Sequence, residues 1–147
     1  MANLNNLIYT SMNTFNPTQT NTLFLIIRKE PFDQIIKRIK TTECRHIKES
    51  TKGRYLQRDN YNKLILNPTV DASQVTGSIN EYNNGIFPYL PLEYKFMNLA
   101  VGYAKKLDNI LVEIVDISFE PREIRGNIFT DWYIIYHLGE IIKLWKR

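Results

Sequence analysis

Ile39-Lys40-Thr41-Thr42-Glu43-Cys44-Arg45 marks the point where the hydrophobic period of the chain changes. Before it, Phe32, Ile35, Ile36 and Ile39 fall at i, i+3, i+4 and i+7, the apolar stripe of a helix lying on a core. Pro31 suits the first helical position, where a missing N–H has no intrahelical partner. The spacing predicts a helix over 31–39. After Ile39 the period becomes 2, with Thr42, Cys44 and His46 on one face of a strand over 41–47 and Glu43, Arg45 and Ile47 on the other. Lys40, Glu43 and Arg45 gather at this junction.

Working outward, Leu23 to Arg28 reads as a short strand buried on both faces. Residues 1–22 are rich in Asn, Thr and Ser and read as a flexible polar arm, leaving 23–147 as the folded domain. Leu64 to Leu66 reads as a further short strand. Residues 68–92 carry four prolines or glycines after Pro68 and no clear period, so a functional loop pinned by Phe87, Tyr89 and Leu90 is expected. Phe96 to Tyr103 and Ile110 to Ser118 form a hairpin turning at 105–109. Glu113 interrupts the apolar second arm and is either an inward acid needing a cation or an outward one in solvent. Glu120 to Gly126 reads as a charged connection. Trp132 to Leu138 and Glu140 to Trp145 read as two strands broken at Gly139. The count of about six strands and one helix predicts an α+β, mostly β fold, a small antiparallel β-barrel with the helix packed at one opening.

The net charge of +4 is unevenly placed. Lys37 to Arg58 holds eight Lys/Arg against two acids, a local +6 on an otherwise slightly acidic body. Such a window fits a polyanion partner or a solvated face. Lys48, Lys52 and Arg54 are the expected phosphate contacts. Tyr55, among these cations, is placed either to stack on a nucleobase or to anchor its loop.

Some chemistries are not encoded. Two histidines and one cysteine show no zinc-ligand spacing, and the six glycines form no phosphate-cradling loop. No metal or cofactor is expected. Cys44 and His46 alternate with apolar positions and read as core residues, and His137 as a structural histidine. No apolar run reaches membrane-span length, so no membrane partner is expected, and a cytoplasmic location is the default. The Asn-rich composition points to an AT-rich genome, bacterial or phage.

Lys40-Thr41-Thr42-Glu43-Cys44-Arg45, placed between helix and strand, resembles the Lys-Thr-x-Glu-x-Arg motif of the ASCH domain family, a branch of the PUA-like β-barrels. Val101 to Lys105, Leu111 to Ile117 and Trp132 to Gly139 resemble the C-terminal half of that domain. The resemblance implies a cleft between helix and motif strand that binds RNA or a nucleotide, with Lys40, Glu43 and Arg45 as contacts. An amidohydrolase branch of the family has Lys-Thr-x-Thr-x-Arg, its Lys and second Thr serving as base and nucleophile beside a later Glu. This chain matches the Lys at Lys40 but has Glu43 at the nucleophile position. Three functions therefore stand beside one another. The first is a nucleic-acid or nucleotide-binding module using Lys40, Glu43, Arg45, Lys48, Lys52, Arg54 and Tyr55. The second is a nucleoside amidohydrolase or ribonuclease with Lys40 and Glu43 as acid and base. The third is a protein-interaction domain using the arm or the 68–92 loop.

Overall fold

In the computed structural model, residues 16–75, 79, 85–102, 108–125 and 129–145 are described. Five strands, β1 (Thr22–Ile27), β2 (Thr42–His46), β3 (Phe96–Val101), β4 (Asn109–Arg125) and β5 (Phe129–Trp145), form one sheet in the order β1-β3-β4-β5-β2. Two short helices, α1 (Lys29–Ile36) and α2 (Lys52–Tyr55), accompany them. The fold is mostly β, as the alternation predicted. The sheet is not closed by backbone pairing, because β1 and β2 remain its two edges.

Among the described residues five strands form rather than six, since β4 and β5 are each continuous over 17 residues. The expected charged connection from Glu120 is the outer half of β4, and Gly139 lies inside β5 rather than between two strands. Charge alone does not end a strand when every backbone group has a partner across the ladder. Gly139 is needed for space: a Cβ there would meet Glu113 Oε1 and Val115 Cγ1 at 2.5 Å. Pairing in this region slips between Ile114 and Asp116, and such bulges bend and coil long strands. β1 pairs with β3 in parallel, the one departure from an antiparallel sheet.

The inner face carries the core. Leu25, Leu99, Ile110, Val112, Ile134 and Tyr136 meet Phe32 and Ile35 of α1 there. Phe87 stacks on Phe119 at 4.2 Å and meets Trp132 edge-on at 5.2 Å, which pins the end of the 68–92 segment to the sheet as expected. Bridges at Arg58–Leu64, Leu66–Tyr89 and Leu56–Pro91 hold that segment, so residues 64–66 pair singly rather than as a strand. β1 is buried on one face only, with Phe24 47% exposed.

The helix is shorter than its apolar stripe. It ends at Ile36, Arg38 adopts a left-handed φ of 63°, and Ile39 is 72% exposed. The Lys37, Ile39 and Lys40 amides bond back to Asp33 and Gln34 carbonyls in this closing turn. Pro31 stands third in the helix, still within the first turn where its missing donor costs nothing. Residues 1–15 of the expected arm lie outside the described residues. Its last part is ordered through Asn21, whose Oδ1 accepts from the Thr18 amide at 2.7 Å and whose carbonyl receives the Lys95 and Phe96 amides.

Candidate functional site

β2 places its residues by simple alternation. Glu43 and Arg45 stand opposite Tyr136 and Ile134 and share the inner face with them. Cys44 and His46 face outward, opposite Ile135 and Tyr133. They are partly exposed rather than core residues. The apolar neighbours that the sequence offered belong to the opposite face. His46 stacks on Tyr133 at 5.0 Å and lies 3.5 Å from Asp131, while His137 shares a 2.8 Å hydrogen bond with Ser118.

Glu43 is 7% exposed, and a buried carboxylate needs cations or donors. It has both. Arg45 Nη2 lies 2.9 Å from Glu43 Oε2 and Arg45 Nε donates to the same oxygen at 3.1 Å. Lys40 Nζ is 3.4 Å from the other oxygen, Oε1. The structure therefore assembles the three motif residues into one ion cluster. Glu113, the acid that the sequence left open as inward or outward, is paired across the ladder with Phe96 on the face of the sheet opposite Glu43, against Gly139.

Arg45 also joins the two sheet edges. Its Nη2 donates to the Ile26 carbonyl of β1 at 3.3 Å, and Arg54 Nη2 donates to the Phe24 carbonyl at 3.2 Å. Two carbonyls on the free edge of β1 thus receive arginine side chains where a closed barrel would supply a backbone neighbour. Tyr94 supports this seam by donating its hydroxyl to the Arg54 carbonyl at 3.0 Å. The Tyr136 hydroxyl is buried without a partner. Burial, with Tyr55 and Tyr94 nearby, holds its phenol far above the usual tyrosine range.

A cleft of about 600 Å³ opens beside this cluster, lined by Ile26, Arg28, Lys29, Glu43, Arg45 and Gly102 among others. It lies at the carboxyl ends of the parallel strands β1 and β3 and at the start of α1, the position where such crevices take ligands. No side chain caps the first turn of α1, so its leading amides face this end uncapped. Gly102, at φ 69°, turns the chain away from β3 at the cleft margin.

The remaining expected residues are dispersed. Lys40 does not line the cleft; it holds Glu43. Lys48 is exposed, and Lys52 pairs with Glu49 at 2.7 Å, holding that carboxyl below its usual range. Tyr55 is 3% exposed with Arg54 at 5.8 Å from its ring centroid, so it anchors its turn and offers no free face to a base. Arg28 and Lys29 were missed by sequence reasoning. Their signal was present, two cations between the first strand and the proline of the helix start, but the basic window was drawn after them. Among the described residues no group of His, Cys, Asp and Glu could hold a metal ion, and no helix is long and apolar enough to cross a membrane. Comparison with protein-family models, curated proteins and solved structures finds no match to this chain.

Proposed function

We propose that this chain is a cytoplasmic nucleotide- or RNA-binding module of the ASCH, PUA-like type, with its ligand in the cleft beside Glu43 and Arg45. The observation that carries the reading is a buried carboxylate–guanidinium pair in the wall of an open cleft whose other polar groups are cations and uncapped helix amides. An uncapped helix start with Arg28 beside it favours a phosphate, and Lys29, paired with Asp33 at 2.8 Å, adds a cation only by exchanging that partner. The Glu43 carboxylate can accept from an exocyclic amine, as carboxylates do from cytosine. Arg45 spends its donors on Glu43 and Ile26, so it shapes the wall as well as charging it. Lys48 is an outlying cation for a longer strand. The ASCH kinship and a barrel closed through the arginine seam belong to the same proposal.

The test is a fluorescence-anisotropy titration of short RNA and of mononucleotides at several salt concentrations. Replacing Arg28 and Lys29 together by Ala removes two exposed cations without touching Glu43. This double variant should weaken binding and flatten the salt slope by about one unit for each true phosphate contact. Absence of binding by the wild type at low salt, or an unchanged slope in the double variant, would reject the cleft as a phosphate site.

A further inference from the structure

β1 has β3 on one side and no strand on the other. The Phe24 and Ile26 carbonyls turn to this free edge, where Arg54 Nη2 donates to the first at 3.2 Å and Arg45 Nη2 to the second at 3.3 Å. In an extended strand the amide and the carbonyl of one residue point to the same side, so the Phe24 and Ile26 amides face this edge as well. A free edge ordinarily offers both donors and acceptors to an incoming strand. Here guanidiniums already engage the acceptors, and the donors remain.

The charge along this edge is not cancelled. Arg45 is balanced by Glu43, 2.9 Å away. Arg28 and Arg54 are exposed, and among the described residues no acid pairs with either. Arg28 lines the cleft directly after β1 ends, and Arg54 is held beside Phe24, four positions earlier. At about 3.3 Å per residue these two positions stand about 13 Å apart along the strand. One phosphate held at Arg28 does not reach the Arg54 guanidinium, which is fixed on the Phe24 carbonyl. An extended single strand, with a phosphate at every nucleoside, reaches both. A peptide strand would need the carbonyls that Arg45 and Arg54 occupy, whereas a phosphodiester backbone needs only donors and positive charge.

We infer that the ligand of the cleft is an extended single strand of nucleic acid and not a free mononucleotide. Its backbone leaves the cleft at Arg28 and follows the free edge of β1 to Arg54, with the Phe24 and Ile26 amides as donors between them. The inference rests on the reading of the cleft as a phosphate site. It gives the arginine seam a second role, because the guanidinium that covers the Phe24 carbonyl also meets a phosphate of the strand.

The test uses the whole chain, titrated with CMP and with a 5′-phosphorylated RNA tetracytidylate at several salt concentrations and followed by amide chemical shifts. The tetranucleotide should bind more tightly than CMP, with a salt slope steeper by about 0.7 for each further phosphate contact on a single strand. It should shift the Phe24 and Ile26 amides, which CMP should leave in place. In Arg54→Gln the slope of the tetranucleotide should fall toward that of CMP. Equal slopes for the two ligands on the wild type would overturn the path, and that comparison needs no variant to fold. So would shifts confined to Arg28, Glu43 and Arg45 with both ligands, which would leave the proposed function standing. An uncharged extended peptide that shifts the Phe24 and Ile26 amides where the RNA does not would assign the edge to strand addition instead. Binding of neither CMP nor the tetranucleotide would remove the cleft reading and the path together.

Discussion

Replacing Arg45 by Met tests the ion cluster most directly. The substitution keeps an unbranched stem of similar reach and removes the guanidinium from a carboxylate that is 7% exposed. Removing one partner of a fully buried ion pair costs about 3–5 kcal/mol, because the other charge is stranded. Two features reduce that here: Lys40 still lies 3.4 Å from Glu43, and the Arg45 side chain is 25% exposed. A discounted cost of about 2 kcal/mol remains for the stranded charge. Losing the Ile26 hydrogen bond across the sheet edges adds about 0.5–1 kcal/mol. At this chain length the sum corresponds to a fall in Tm of about 6–10 °C. Urea denaturation and calorimetry would measure it. In a Glu43→Gln background the same substitution should cost only about 1 kcal/mol, the share belonging to the seam. An equal cost in both backgrounds would refute the claim that Arg45 exists to neutralise Glu43. A cost below about 0.5 kcal/mol in the wild type would refute both roles.

Tyr136→Phe removes a buried hydroxyl that has no partner, so it should raise stability by about 1 kcal/mol in denaturant unfolding, and a loss would reveal a hidden partner. The raised phenol pKa of Tyr136 makes the folded state keep a proton that the unfolded chain releases near pH 10, so stability should fall as pH rises above that value. Tyr136→Phe should unfold less steeply in that alkaline range. Gly139→Ala would force a Cβ against Val115 and Glu113 and should cost about 1–3 kcal/mol, read as a lower urea midpoint; a neutral result would mean that the β4 bulge has room to move.

Much of this molecule was legible before folding was considered. The change from period 3.6 to period 2 at Ile39 separated α1 from β2. The same alternation put Glu43 and Arg45 on one face and Cys44 and His46 on the other, since strand geometry leaves no other choice. The aromatic anchors Phe87 and Tyr89 were recognisable among polar neighbours. The ends of elements were less legible. Ile39 continues the apolar stripe in sequence, yet the chain leaves the helix three residues earlier, where backbone bonds to Gln34 turn it toward β2. Gly139 marked a break in sequence and became a packing requirement in the sheet. Which face of β2 is the inner one could not be read from β2 itself, because it depends on the partner strand and on where α1 lies. The cleft and the seam were hidden for the same reason. Arg45 reaches Ile26, and Arg54 reaches Phe24, across 19 and 30 residues of chain. Local sequence determined which residues alternate and where charge gathers, because those properties act over a few bonds. Only the curl of the whole sheet decided that Arg45 would join its two edges and that Arg54 would reach β1 from α2, since that depends on strand order and twist summed over every strand between them.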